Sequence, residues 1–168
     1  LVDFAIDEGR PDIARFFVLA RVFLFRVKNE LMGLQLRGQS TARPGSIDWH
    51  SEVEFHSSRV VIHLRTRKNA PEGATLVRRC SCKDGPDVMC PLHALLGQSA
   101  DMPVEAHRSR PVRDFTWSEV DSFLRRAVLV LQLARARWHA FRPRMAQDLL
   151  DSGSPFSYIL RAGGWRSG

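Results

Sequence analysis

The chain has 168 residues, of which 44% are hydrophobic, and this is enough apolar material for one domain with its own core. Its 25 lysines and arginines outnumber its 18 acidic residues, and the formal charge of +7 favours a polyanionic partner, with nucleic acid first. No apolar run is long enough to span a bilayer, since Arg21, Arg26 and Lys28 interrupt the most hydrophobic stretch, so we expect no membrane association.

The three cysteines, two of them one residue apart, do not form a disulfide framework, and no signal peptide is recognisable. We therefore expect a reducing intracellular compartment, the nucleus if the source is eukaryotic and the cytoplasm otherwise. Because the chain begins with Leu1 and ends on Arg166-Ser167-Gly168, we expect residues 1–168 to be a single domain truncated at both ends.

The first predicted elements are helical. Apolar residues recur at helix-like intervals from Asp12 to Leu36, and Pro11 stands where a first helical turn accepts proline. We expect two helices that meet near Val27. The stretch from Arg37 to Asp48 is rich in Gly, Ser, Thr and Pro, which predicts a loop.

Three short strands are predicted next, at Glu52–Phe55, Val60–Leu64 and Thr75–Arg78. The segment Asn69-Ala70-Pro71-Glu72-Gly73 supplies the turn before the third strand. The pattern indicates a small antiparallel sheet.

A cysteine-bearing segment follows the sheet. Cys80, Cys82, Cys90 and His93 form the pattern C-x-C-x7-C-x2-H, and three thiolates with one imidazole suit a tetrahedral structural zinc ion. The pattern is similar to the SWIM-type zinc finger, which has one residue between its last Cys and His. We expect a zinc knuckle inserted at residues 80–93, the alternative being three reduced cysteines and a helix-capping histidine.

The rest of the chain is predicted to be helical apart from a loop at Ser99–Arg113. A short helix is expected at Pro91–Leu96, and Thr116-Trp117-Ser118-Glu119 has the spacing of a capping box that begins a helix running to Leu133. Two more helices are expected, at Pro143–Asp151, ending at Gly153, and at Pro155–Arg161.

The most specific motif lies in this last part. Trp138-His139-Ala140-Phe141-Arg142 gives H-x-x-R spacing, and it is followed by Met145-Ala146-Gln147-Asp148-Leu149-Leu150-Asp151-Ser152-Gly153 and by Arg161-Ala162-Gly163-Gly164-Trp165. These residues resemble the active-site half of the tyrosine recombinase, or phage integrase, family, and within it the Cre-like recombinases and those of eukaryotic mobile elements. The resemblance implies an α+β, mainly helical fold, a recombinase catalytic-domain bundle with a small antiparallel sheet.

The resemblance also implies roles for three residues. His139 and Arg142 would contact the scissile phosphate, and Trp165 would donate its indole N–H to a phosphate oxygen. Donors fixed around the phosphate stabilise the charge that grows on its oxygens in the transition state, and the family needs no metal for catalysis. The competing interpretation is that His139 and Trp165 are packing residues and Arg142 is a surface cation.

Two further cations are implied. The first family arginine stands in a pattern like R-x-x-E-L-x-x-L, and Arg26 is the candidate, although Glu30 follows it by four residues rather than three. Either the turn holds an extra residue or Arg26, as a surface or helix-capping residue, points away from the phosphate.

The family's general acid, a lysine on a β-hairpin turn, corresponds to Lys68. Arg67 is the competing candidate, and a solvated hairpin tip is the alternative.

The nucleophilic tyrosine of the family is missing. It would follow Trp165 by one or two helical turns, where this chain stops, and Tyr158 precedes Trp165 and is expected to be a packing residue. The chain as given is therefore expected not to cleave DNA unless a tyrosine comes from beyond Gly168 or from a neighbouring subunit.

The sequence thus predicts a DNA-binding catalytic domain for site-specific strand exchange, in which paired subunits act on double-stranded DNA through a 3′-phosphotyrosyl intermediate. A second interpretation is a non-catalytic, zinc-containing DNA-binding module derived from a recombinase, which explains the missing tyrosine without truncation. A third is a zinc-stabilised protein-interaction domain that does not bind DNA.

Overall fold

A computed structural model of the chain describes residues 1–37, 50–83, 87, 89–100, 112, 115–134 and 136–165, with 98–100 described as backbone only. The amino-terminal half of these residues contains two helices, one π-helix and four strands. They are α1 (Val2–Asp7), α2 (Pro11–Val22), the π-helix (Val27–Leu31), β1 (Leu34–Leu36), β2 (Ser51–Phe55), β3 (Arg59–Leu64) and β4 (Ala74–Arg79).

The carboxyl-terminal half of the described residues is helical. It consists of α3 (Pro91–Ala100), α4 (Trp117–Val130), a 3₁₀ turn (Trp138–Ala140), α5 (Phe141–Asp151) and α6 (Phe156–Gly163). These bounds confirm the predicted helices here to within a few residues. The predicted loops at 37–48 and 99–113 lie largely outside the described residues, although Ser99 and Ala100 continue α3.

The prediction of helix as far as Leu36 is wrong. The chain leaves α2 at Leu24, which takes a left-handed conformation with φ of 56°. The Leu24 N–H then donates to Arg21 O, and the Phe25 N–H donates to Ala20 O. This pair of hydrogen bonds is a Schellman ending, and it redirects the chain away from the helix axis. Leu34–Leu36 instead pairs with β2 as a strand.

The sheet is mixed rather than wholly antiparallel. The three predicted strands are confirmed, and they pair antiparallel as β2-β3-β4, with Val53 opposite Ile62 and Ile62 opposite Leu76. The difference is β1, which adds in parallel to the outer side of β2 and places Leu36 beside Val53. The coarse α+β class is therefore confirmed.

The core lies between α2, α3, α4 and one face of the sheet. Phe17 of α2 is 1% exposed and stacks on Phe141 with ring centroids 5.7 Å apart. The Trp138 ring packs against the same two rings, at 5.4 and 5.5 Å. These aromatic contacts fix the start of α5 against α2, and so they fix Arg142, the next residue in the chain.

The predicted amino-terminal cap of α4 is present in part. The Thr116 hydroxyl accepts a hydrogen bond from the Glu119 N–H at 3.1 Å, as a capping residue does. The Glu119 carboxylate does not complete the box, since it accepts from Arg10 at 2.7 Å instead. Arg10 also pairs with Asp12 at 2.9 Å, so this ion network ties α4 to the start of α2.

Candidate phosphate-binding site and thiol cluster

A π-helix begins directly after Arg26 and contains Glu30. The Met32 N–H donates to Val27 O at 3.1 Å, which spans one residue more than an α-helical hydrogen bond. The Glu30 N–H donates to Arg26 O at 2.7 Å, which is an ordinary α-helical span. The Arg26 N–H donates to Glu30 Oε2 at 3.0 Å, so the carboxylate folds back toward the Arg26 backbone. The direction of the Arg26 guanidinium toward a phosphate stays a prediction.

Glu30 forms a buried ion pair with Arg67. Their side chains are 3% and 2% exposed, and both the Nε to Oε1 and the Nη2 to Oε2 distances are 3.3 Å. Arg67 also donates from Nη1 to Ala162 O at 2.9 Å. The arginine therefore links the π-helix to the carboxyl end of α6, where carbonyl groups lack helical partners.

A two-residue turn positions Arg67. Arg67 and Ala70 exchange backbone hydrogen bonds of 2.9 and 3.0 Å, which leaves Lys68 and Asn69 at the tip. Asn69 Nδ2 donates to Gly164 O at 3.0 Å and ties the tip to the end of α6. Lys68 is exposed, whereas Arg67 is buried. The buried cation is thus Arg67. Which of these two consecutive cations is buried depends on the turn, so no rule of sequence spacing distinguishes them.

Arg142 is buried on the first turn of α5, with 5% of its surface exposed. Its Nη2 donates to Gly163 O, and its guanidinium carbon lies 4.9 Å from the centroid of the Trp165 ring. The Nε atom is buried and has no hydrogen-bond partner among the described residues. Pro143 falls within the first helical turn, where a missing N–H breaks no helical hydrogen bond.

The Gly-Gly pair before Trp165 has a steric cause. Gly164 has φ of +63° and ends α6 in a Schellman arrangement, with the Trp165 N–H donating to Leu160 O at 2.9 Å. A Cβ added at Gly163 would lie 1.9 Å from Trp165 Cζ3, so the ring packs directly on that glycine backbone. Each glycine is therefore needed for the Trp165 ring to reach Arg142.

Arg26, Arg67, Arg142, Glu30 and Trp165 together form the arginine cluster. Burial lowers the pKa of the Arg142 guanidinium, the Glu30 charge raises it, and the charges of Arg26 and Arg67 lower it again. The cluster contains three guanidinium groups and one carboxylate, with Arg67, Arg142 and Glu30 buried and Arg26 half-buried. This excess of positive charge suits an anion.

His139 is placed differently. It is exposed on the 3₁₀ turn and lines a groove of about 590 Å³ that Leu124 and Val128 of α4 share with Trp138. No hydrogen bond joins it to Arg142 in the part of the chain that the structure describes. Of the predicted site residues, Arg142 and Trp165 are in contact, Arg26 is half-buried, and His139 and Lys68 are exposed. That Arg26 converges on the same site stays a prediction.

Cys80, Cys82, Cys90 and His93 form the thiol cluster, between the end of β4 and the first turn of α3. Their ligand atoms all lie within 4.8 Å of one another. The Cys80 and Cys90 sulfur atoms are 3.7 Å apart, and His93 Nδ1 is 3.1, 3.4 and 3.9 Å from Cys82, Cys90 and Cys80. Tetrahedral zinc, with Zn–S of about 2.3 Å and Zn–N of about 2.0 Å, requires S···S of about 3.8 Å and S···N of about 3.5 Å.

The surrounding backbone favours thiolates in this cluster. The Ser81 N–H donates to Cys90 Sγ at 3.4 Å, and the Asp87 N–H donates to Cys82 Sγ at 3.2 Å. Burial opposes ionisation of Cys90, yet hydrogen bonds from the His93 and Ser81 backbone and the His93 ring lower its pKa to about 5. Burial and the neighbouring thiols raise the pKa of Cys82 to about 11. The Cys90 thiolate therefore forms readily, and a bound metal ion would favour deprotonation of Cys82.

The described residues contain no helix long and apolar enough to cross a membrane. Comparison with protein-family models gave no match, and neither the curated proteins nor the solved structures gave a significant one.

Proposed function

We propose that this chain is the DNA-binding catalytic domain of a tyrosine-type site-specific recombinase. The observation that carries the proposal is Arg142, a buried guanidinium that has no carboxylate partner of its own and a free Nε among the described residues. Buried cations are stable only when they are paired, so the site is built for an anion from outside the chain. The H-x-x-R and Ala-Gly-Gly-Trp motifs favour a DNA phosphate as that anion.

The chemistry implied for this site is transfer of a phosphoryl group to a tyrosine. The tyrosine hydroxyl would pass its proton to a base such as His139 as its oxygen bonds to phosphorus. The bond to the 5′ oxygen would break, and an acid would protonate that departing oxygen. Arg26 and Arg142 would stabilise charge on the non-bridging oxygens, and exposed Lys68 is the candidate acid. The tyrosine would come from outside residues 1–168 or from a paired subunit.

Duplex binding tests this proposal. We expect the affinity of the chain for a fluorescent 20-base-pair duplex, measured by anisotropy, to fall steeply with salt because binding releases counterions. Arg142→Lys should weaken binding at every salt concentration, since a lysine cannot form the bidentate contact. The matched control is Arg144→Lys, because Arg144 lies two residues away with a 75% exposed side chain. Equal affinity of the two variants would contradict the proposal.

Strand cleavage tests the catalytic part. If the natural protein extends past Gly168, that extended chain is incubated with a nicked suicide substrate, on which a covalent protein–DNA complex accumulates. We expect the unmodified chain to form the complex and Arg142→Ala to lose it. Duplex binding without any covalent complex would instead favour the second candidate, a non-catalytic DNA-binding module.

The thiol cluster supports that second candidate, and we propose that it holds a structural zinc ion in either case. Its four ligand atoms lie within 4.8 Å of one another, which is compatible with one metal ion, and all three cysteines are free thiols. Zinc would join β4 to α3 through Cys80, Cys82, Cys90 and His93. Such a site requires a reducing compartment, the nucleus if the source is eukaryotic.

Metal analysis tests the zinc site. Protein purified without added zinc should contain one zinc ion per chain by mass spectrometry of the metal, and Cys90→Ser should contain less. Ser81→Ala is the control, because Ser81 lies between two ligands but contributes only its backbone N–H. The absence of stoichiometric metal from the unmodified protein would exclude the site.

A further inference from the structure

A cationic cleft that shares Arg67 and Trp165 with the arginine cluster lies between α6 and the turn that joins β3 to β4. It has a volume of about 530 Å³, which is within the range of small-molecule and cofactor sites. We call it the hairpin cleft. The residues that matter for its chemistry are Arg67, Asn69, Arg78, Tyr158, Arg161 and Trp165, and the one carboxylate in its lining is Glu72.

Arg78 gives the hairpin cleft its charge. Its Nε donates to Val22 O at 3.3 Å, its Nη1 donates to Val77 O at 3.0 Å, and its guanidinium lies 5.6 Å from the centre of the Phe23 ring. The remaining nitrogen, Nη2, is buried without a hydrogen-bond partner among the described residues. No carboxylate pairs with Arg78 in that part of the chain, so its positive charge is uncompensated.

The groups around Arg78 act on its pKa without pairing its charge. Burial lowers the pKa of Arg78, the nearby Tyr158 oxygen raises it, and the charge of Arg67 lowers it again. Arg161, on the last turn of α6, adds an exposed cation to the same cleft. A group that bears a negative charge would therefore relieve repulsion here.

Two aromatic side chains give the hairpin cleft a second property. Tyr158 is 42% exposed, which is more than the packing role expected from the sequence allows. Trp165 is half-buried, with one face over Arg142. Rings beside cations are the combination that binds unpaired nucleotides, since bases stack on the rings while phosphates contact the cations. An acidic peptide would satisfy the cations but would leave the rings unused.

We propose that the hairpin cleft binds an unpaired nucleotide of the DNA substrate, with the base stacked on Tyr158 and the phosphate held by Arg78 and Arg161. This inference rests on the proposed function, because it assigns to single-stranded DNA a cleft that adjoins the duplex phosphate site. It predicts that DNA with unpaired bases near the bound phosphate binds more tightly than a fully paired duplex.

The test compares three fluorescent probes by anisotropy, using the full chain. One is a blunt duplex, the second carries a tail of five thymidines, and the third carries a tail of five abasic sites with the same phosphates. We expect the thymidine tail to bind about tenfold more tightly than the abasic tail, because the two differ only in stacking. Tyr158→Ala should remove this difference and Tyr158→Phe should retain it.

The controls separate this inference from the proposed function. Arg161→Gln should weaken binding of both tails, whereas Arg144→Gln, on the exposed side of α5, should change neither. Equal binding of the two tails by the unmodified chain, with normal binding of the blunt duplex, overturns the inference alone. Displacement of the thymidine tail by a poly-glutamate peptide also overturns the inference alone. Failure to bind the blunt duplex overturns the proposed function. In that case, the binding of free pentathymidylate is compared with that of its abasic analogue, and equal binding overturns the inference about the cleft as well.

Discussion

The arginine cluster and the thiol cluster have opposite chemical character. The arginine cluster holds two buried guanidinium groups, those of Arg67 and Arg142, and half-buried Arg26, with one carboxylate, Glu30. The thiol cluster gathers three sulfur atoms and an imidazole, which are electron-pair donors to a metal ion. A low dielectric strengthens the interactions of buried charges, so the arginines favour an anion and the thiols favour a cation.

They also differ in the span of chain that builds them. All four residues of the thiol cluster fall between positions 80 and 93, within one connection from β4 to α3. The arginine cluster draws Arg26, Arg67, Arg142 and Trp165 from four distant segments. Loss of one residue should therefore have local consequences in the thiol cluster and global ones in the arginine cluster.

The largest effect is expected from Glu30→Gln. Removing the one carboxylate of the arginine cluster leaves Arg67 buried and unpaired, and breaking a buried ion pair from one side costs about 3–5 kcal/mol. The free energy of unfolding in urea measures this. Glu52→Gln on the partly exposed face of β2 is the matched control and should have little effect. Equal losses in the two variants would show that Glu30 does not hold the cluster together.

Metal removal should have the next largest effect. A ligand that binds only the folded state stabilises it by about 2.7 kcal/mol at a hundredfold excess over Kd. We therefore expect a strong chelator to lower the melting temperature of the unmodified protein, and added zinc to restore it. Cys90→Ser should melt at the lower temperature with or without chelator, and Ser81→Ala should respond like the unmodified protein. An unchanged melting temperature after zinc has been stripped would contradict a structural role.

Gly163→Ala should have a smaller effect on stability. The new methyl group would overlap the Trp165 ring, at 1.9 Å from Cζ3, and overpacking of this kind costs about 1–3 kcal/mol. The ring must then leave Arg142, so a shift in tryptophan fluorescence should accompany weaker duplex binding. Gly33→Ala is the control, because a Cβ there meets nothing within 4 Å. Unchanged fluorescence and binding would separate Trp165 from the site.

The local features were those that the sequence predicted best. The capping threonine, Thr116, is a short-range signal, and so is the spacing of the thiol cluster; the structure confirms the cap and places the four candidate ligands together. Strands β2, β3 and β4 could be predicted from alternation because one face of each packs on the core. The same reasoning failed at Leu34–Leu36, since an apolar run this short does not distinguish strand from helix.

The arrangement of the arginine cluster could not be predicted to the same extent. The H-x-x-R and Gly-Gly-Trp motifs named Arg142 and Trp165, but only the fold shows that Arg142 lies under the Trp165 ring. The choice between Arg67 and Lys68 depends on a two-residue turn, and the role of Glu30 depends on a π-helix. Neither feature has a sequence signal that a spacing rule detects.

The smallest effect is expected at an ion cluster on the outer face of the sheet. This cluster tests whether burial determines how much an ion pair contributes to the free energy of unfolding. Glu54 lies 2.9 Å from Arg37, 3.3 Å from His63 and 3.6 Å from His56. Glu54→Gln should change the free energy of unfolding by less than about 1 kcal/mol at pH 7, because exposed pairs are solvated and screened. Urea unfolding of Glu54→Gln and Glu30→Gln compares their losses of unfolding free energy. Similar losses would mean that burial does not determine the size of the effect.

The pH dependence of stability shows in which direction the Glu54 carboxylate acts. Burial raises the pKa of Glu54, but the hydrogen bond from His63 and the charge of Arg37 outweigh it, and the pKa lies below its ordinary value of 4.5. A lowered folded-state pKa means that the stabilisation is present above 4.5 and is lost as the pH falls through the folded value. Glu54→Gln should therefore reduce the loss of stability between pH 5 and 3. An unaltered acid profile would mean that Glu54 is not among the carboxylates that stabilise the fold.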